Sequence, residues 1–185
     1  MYKRQVLGVF GLELRMVCPG IPGLAMREKA DGVPGGTYSQ MVADGVLSVD
    51  EGKRVVNVET LIQSVMEFNP CLIVADRFRL PEVADAVSGR CRLLGRVTRW
   101  QESTADLQRC RQVGLDEGLS VAPESRRALR HALSESVVES DGSGNVRIDK
   151  MRADRSRQDV VQALVLACGR VPRAQGAAGP IHEVA

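Results

Sequence analysis

Cys71-Leu-Ile-Val-Ala-Asp76, preceded by Asn69-Pro70, is the stretch that decides the fold. A continuous apolar run that closes on an acid reads as a strand covered on both faces, as in a parallel sheet. Its flanks read as helices. Upstream, Asn57 suits a helix N-cap, and Leu61, Ile62, Val65 and Met66 recur at helical spacing until Asn69-Pro70 stops them. Downstream, Pro81 stands where a helix begins and Gly89 where it stops. Residues 92–97 form the next strand candidate. Strand, helix and strand alternate, which is the order of an α/β domain.

The same alternation extends both ways. Residues 6–14 suit a strand, Pro19 to Gly23 a loop, and residues 24–30 and 37–44 two short helices. Residues 46–56 read as a turn around Asp50, Glu51 and Gly52 with short extended flanks. Ser103 is placed to cap a helix over 104–117, and residues 119–122 suit a short strand. Ser125 is placed to cap a helix over 126–133. Val137 to Ser140, Asp141-Gly-Ser-Gly144 and Asn145 to Ile148 read as a hairpin around a Gly-rich turn. Ser156 would cap a last helix with Val160, Val161, Leu164, Val165 and Ala167 on its apolar face, ended by Gly169. From Arg170 on, Ala, Gly and Pro dominate, and residues 170–185 are expected to be a disordered tail. The expected architecture is α/β, a mixed β-sheet flanked by helices, over residues 6–169.

Composition narrows the chemistry. Of 185 residues 44% are hydrophobic and only 3% aromatic, so the core must be aliphatic. Charged residues nearly cancel to +2, which does not by itself mark a nucleic-acid binder. Arginine far outnumbers lysine, and its fork suits phosphate, although a G+C-rich gene gives the same bias. The five cysteines include no Cys-x-x-Cys pair, which points to a reducing compartment and away from a zinc site. Cys71, Cys110 and Cys168 lie in apolar or helical runs, where cysteine acts as a small hydrophobe. No run approaches the length of a membrane span, and no signal peptide opens the chain. The first five residues, Met-Tyr-Lys-Arg-Gln, look like the translation of a transposon end, so native sequence is expected to begin near Val6.

No phosphate-cradling Gly-rich loop and no Gly-x-Ser-x-Gly elbow occurs. The two histidines, His131 in a basic helix and His182 in the tail, do not suit a triad. Catalysis, if present, falls to carboxylates, and these imply a hard cation, Mg²⁺ or Mn²⁺. Asp76 sits where open α/β sheets place their ligand sites, with Arg77 and Arg79 just beyond it. A strand-end acid paired with a neighbouring arginine is the plain alternative. Asp159 opens the last helix, where an acid also favours the helix dipole by about 0.3–1 kcal/mol.

The order of these pieces resembles the C-terminal nuclease domain of the large terminase subunit of tailed phages or prophages. The matching text is Arg27-Glu-Lys-Ala-Asp-Gly-Val with Tyr38 and Asp44-Gly45; Asn69 to Arg79; Trp100; Gly144-Asn-Val-Arg-Ile-Asp-Lys150; and Arg157-Gln-Asp159 to Ala167. The resemblance implies an RNase H-like fold and a metal-dependent endonuclease that cuts concatemeric phage DNA during packaging. Asp76 would be its second acid and Asp159 its third, both catalytic and both ligands of a two-metal site, with Asp154 in reserve because Gln158 replaces one of two acids usual there. Arg77, Arg79, Lys150, Arg152 and Arg155 would hold DNA phosphates. The first acid belongs on the opening strand, and no Asp lies between Val6 and Arg15. That acid and the ATPase domain are therefore expected to be missing, leaving an incomplete enzyme. Implied partners are double-stranded phage DNA, the portal protein and the small terminase subunit, in the host cytoplasm and not at a membrane. Two other readings stay open: another RNase H-like nuclease of the resolvase or integrase kind, and a non-catalytic DNA-binding or assembly module.

Overall fold

The structure is a computed structural model that describes residues 10–77, 80–87, 89–97, 99–149 and 158–171. In chain order its elements are β1 (Phe10–Leu12), β2 (Met16–Pro19), α1 (Leu24–Asp31), α2 (Thr37–Ala43), β3 (Leu47–Asp50) and α3 (Val58–Met66). Then come β4 (Leu72–Asp76), α4 (Leu80–Val87), β5 (Arg92–Arg96) and α5 (Trp100–Gln112). A π-helical segment, Val113–Gly118, leads into β6 (Leu119–Val121), α6 (Ser125–Ser134), β7 (Val138–Ser140), β8 (Val146–Ile148) and α7 (Asp159–Cys168).

Pairing is both parallel and antiparallel. β1 runs parallel to β6, β2 to β3 and β4 to β5, while β7 and β8 form the antiparallel hairpin. The β2–β3 and β4–β5 crossovers carry helices, as parallel neighbours require. The hairpin turn is fixed by Asp141, whose Oδ1 accepts from the Ser143 and Asn145 amides at 2.9 and 2.8 Å. Gly144, at φ 79°, takes the left-handed position that a side chain would resist.

Three aliphatic clusters hold the elements together. Met41, Val46 and Leu47 meet Ala128 of α6; Val113 and Leu129 meet Leu164 and Cys168 of α7; Ile148 meets Val161 and Val165. α6 thus joins the α2–β3 layer to α7 through two adjacent residues. The last helix turns Val161, Leu164, Val165, Leu166 and Cys168 inward, so its apolar face includes Leu166 and leaves Ala167 exposed.

Local caps differ from the expected ones at two serines. Asn57 does cap α3, accepting from the Glu59 amide at 3.0 Å, and Asn69 ends it at φ 46°. Ser103, however, is buried inside α5, which starts at Trp100 and gives way to the π segment after Gln112. Ser125 is wholly buried, and its Oγ accepts from the Leu14 amide at 2.9 Å. It ties the β1–β2 connection to α6 instead of capping the helix. β4 is half-buried along its length, not sealed on both faces, and β5 is its one strand partner among the described residues. Cys71, at its start, is exposed. Ser156 lies outside the described residues, as do 172–185 of the expected tail and 6–9 of the expected first strand.

The Arg27-Glu28 pair of the terminase-like text has a structural role. Buried Arg27 donates through Nε to the Pro19 carbonyl at 3.1 Å and through Nη2 to that of Ile21 at 3.0 Å. Buried Glu28 accepts from the Gly36 and Tyr38 amides at 2.9 and 2.6 Å, capping α2 from α1. Tyr38 donates its hydroxyl to Asp31 at 2.7 Å. The Gly36 amide, helped by that of Tyr38, holds the Glu28 carboxyl below its ordinary value against the opposing effect of burial. A folded-state value below the unfolded one adds stability that is present above the ordinary carboxylate range and lost as pH falls through the folded value. Glu28→Gln, with one acceptor oxygen in place of two, should therefore lower Tm at neutral pH. In thermal melts across pH the gap from wild type should close in acid, and a gap constant with pH would refute the role of the charge.

Candidate functional site

Asp76 is the last residue of β4, half-buried at the C-terminal edge of the β4–β5 pair, and Arg77 follows it, exposed. This is the edge at which open α/β sheets present ligand-binding residues. Asp159 is the first residue of α7 and exposed, and α7 packs against β4. The elements that carry the two candidate acids are therefore neighbours. Arg79, Lys150, Arg152, Asp154 and Arg155 lie outside the described residues.

Two features hold the edge in place. Leu80 at the start of α4 lies over Gly95 of β5, where an added Cβ would stand 2.5 Å from Leu80 Cδ2. Arg96 pairs in register with Asp76, so the two side chains leave the same face of the parallel pair. Arg96 directs its fork to α5, donating Nε to Asp106 Oδ2 at 3.0 Å and Nη2 to Oδ1 at 2.8 Å. Asp106 is 4% exposed. Its hydrogen bond, with the charge of Asp106 and Glu102, raises the Arg96 guanidinium above its ordinary value despite partial burial.

The brace continues to α7. A Cβ on Gly169 would stand 2.6 Å from the Asp106 carboxyl carbon, so only glycine fits where α7 ends. Arg109, buried one turn on, donates to the Val171 carbonyl at 3.1 Å. β5, α5 and the end of α7 are thereby locked around one buried carboxylate.

A second brace fixes the hairpin that precedes α7. Arg147 lies 4.0 Å from the Trp100 ring centroid and bonds Glu139 at 2.5 Å. Thr104 Oγ1 accepts from the Val146 amide at 2.7 Å and donates to the Trp100 carbonyl at 2.8 Å. Trp100 is thus a packing residue whose exposed face is covered by arginine. None of Arg96, Asp106, Thr104, Arg147 or Gly169 stands out in the sequence as part of the site, because each acts through a residue distant in the chain.

Among the described residues no three His, Cys, Asp or Glu side chains gather into a metal-binding group. No helix among them is long and apolar enough to cross a membrane.

Comparison with known proteins bears on the fold. No protein-family model matches the chain, and no curated protein matches it. Among solved structures, the crystal structure of the HK97 bacteriophage large terminase matches with TM-score 0.69 and 21% identity over 84% of this chain. The matched part is 32% of that chain, so this protein spans about a third of its length. The α/β, RNase H-like fold expected from the sequence is the fold the chain adopts, and it is shared with part of a phage large terminase.

Proposed function

We propose that this chain is the nuclease part of a phage large terminase, a metal-dependent DNA endonuclease acting in genome packaging. One observation carries the reading: an acid, Asp76, ends a parallel strand of a fold shared with a large terminase, and the helix packed on that strand opens with a second acid, Asp159.

The donor chemistry fits the cation. Asp76 and Asp159 offer only hard carboxylate oxygens, the ligands that Mg²⁺ and Mn²⁺ take. A third ligand would come from a residue outside the described ones. When bound, such ions supply a water acidic enough to attack phosphorus and neutralise charge on the leaving oxygen. The chain's own residues do the positioning. The Arg96–Asp106 pair sets the end of β5 beside Asp76, and Leu80 packed over Gly95 holds the start of α4 against β5. Arg77, exposed beside Asp76, would bind phosphate, as would Arg79, Lys150, Arg152 and Arg155. Such contacts supply affinity without reading sequence. Phage DNA, the portal protein and the small terminase subunit are the partners this reading proposes, in the cytoplasm of an infected host.

Nicking of supercoiled plasmid by the full chain tests the proposal. Any cleavage, weak if the site lacks an acid, should require Mn²⁺ or Mg²⁺, stop with chelator and be lost in Asp159→Asn, and a Mn²⁺ titration should show weaker metal binding in that variant. Because Asp159 is exposed at a helix start, that variant should lose no more than about 1 kcal/mol of stability. DNA binding with neither metal-dependent nicking nor Mn²⁺ binding would instead mark a non-catalytic module.

A further inference from the structure

Outside the acidic edge, α6 carries a charged face that the proposed chemistry does not use. Ser125, Ala128 and Leu129 are its buried side, and helical spacing turns exposed Arg126, Arg127 and Arg130 away from them. These three arginines line one wall of a groove of about 870 Å³, and Gly36, Thr37 and Gln40 line the other. The second wall leaves room for a ligand: a Cβ at Gly36 would meet nothing within 4 Å.

The charges in the groove are only partly answered. Arg127 meets Asp44 at 3.4 Å with 62% of its side chain exposed, a loose pair of small worth. Arg126 donates Nε to the Val121 carbonyl at 3.2 Å, which orients its guanidinium without neutralising it. Arg130 has no ion-pair partner among the described residues. Glu124 is the other carboxylate in the lining, so three arginines face two acids.

The lining selects the ligand class. It contains no Phe, Tyr or Trp, and its one ring is the imidazole of His131. Cores of protein–protein interfaces are rich in aromatics and poor in charge, whereas nucleic-acid interfaces are polar and positive. Guanidinium forks bond phosphate oxygens two at a time. Arg126 and Arg130 stand one turn apart, about 6 Å along the helix axis, so each can take its own phosphate.

We infer that the α2–α6 groove is a second track for the phosphate backbone of nucleic acid, separate from the acidic edge. The inference rests on the nuclease reading for the presence of nucleic acid. α6 is suited to the task because Leu129 also packs against Leu164 and Cys168 of α7, the helix that carries Asp159. A strand gripped in the groove is held by a rigid neighbour of the acidic site.

The test is binding of a fluorescent random-sequence duplex by the full chain in EDTA, measured across salt concentrations. Arg126→Gln/Arg130→Gln should lower the log–log salt slope by about two and weaken binding evenly across sequences. Arg111→Gln, outside the groove, serves as control and should leave the slope unchanged. An unchanged slope in a double variant with wild-type Tm overturns the proposal, as does absence of duplex binding by the wild-type chain. Loss of binding to a polyglutamate peptide with duplex binding intact also overturns it, because the groove then serves an acidic protein. Binding is read without metal, so the two readings fail separately. An inactive protein with the altered slope refutes the nuclease alone, and an active one with an unchanged slope refutes the groove alone.

Discussion

Asp106→Ala should cost this domain a large part of its stability. The carboxylate is 4% exposed and takes both ends of the Arg96 fork at 2.8 and 3.0 Å. Removing one partner of a buried ion pair leaves the other charge desolvated and unanswered, which costs about 3–5 kcal/mol. The Arg96 side chain is 20% exposed, so water reaches it in part and the low end, about 3 kcal/mol, is expected. Domains of this kind are stable by about 5–15 kcal/mol. For a chain of this size the loss corresponds to a fall in Tm of about 6–12 °C. The methyl group that remains would also leave the space beside Gly169 unfilled. Thermal and urea unfolding would measure the effect. The informative companion is Arg96→Met/Asp106→Leu, in which no charge is stranded; it should be more stable than Asp106→Ala alone. A loss below about 1 kcal/mol for Asp106→Ala would show that the pair behaves as a surface salt bridge.

The elements that were legible in the sequence are those set by local rules. The strand before Asp76, the Asn57 cap and the Asp141 turn each depend on residues within a few positions, and each forms where the sequence placed it, although the strand is half-buried instead of covered on both faces. The failures share a cause. Ser103 stands where a cap would be expected, yet α5 begins earlier because Trp100 is held by Arg147, 47 positions along the chain, and Thr104 by Val146. Ser125 has cap chemistry but bonds Leu14, 111 positions away. Asp106 looks like one more charge on a mixed helix until Arg96 and Gly169 are folded onto it. Arg27 and Glu28 were part of the resemblance, and they prove to hold a loop and a helix end. The acidic edge itself was readable at Asp76 because a strand end is a local feature. The braces behind it, and the second wall facing the α6 arginines, exist only in three dimensions.

Asp76→Asn should produce the largest functional loss. Asp76 ends a parallel strand, half-buried and in register with Arg96, whose Nε and Nη2 are taken by Asp106. Asparagine has the same shape and keeps one acceptor oxygen, so packing and the β4–β5 ladder should persist and the chain should stay folded. What disappears is a formal negative charge and one hard oxygen donor. Loss of a mere outer-shell partner of a metal ligand already costs 10–100-fold in affinity or activity, so losing a ligand itself should cost at least about a hundredfold. The measurement is the initial rate of plasmid nicking against Mn²⁺ concentration. Two changes are expected: a lower rate at saturation, and a half-saturating Mn²⁺ concentration raised at least about tenfold. Duplex binding in EDTA should not fall, and relief of like-charge repulsion with phosphate should raise it slightly, since Asp76 contributes no cation. These readouts separate a ligand from a structural acid. A strand-end carboxylate that only held the fold would lower Tm and nicking together and leave the Mn²⁺ dependence of the remaining activity unmoved. Wild-type nicking at low Mn²⁺ by a stably folded Asp76→Asn would remove Asp76 from the site, and with it the observation on which the nuclease reading rests.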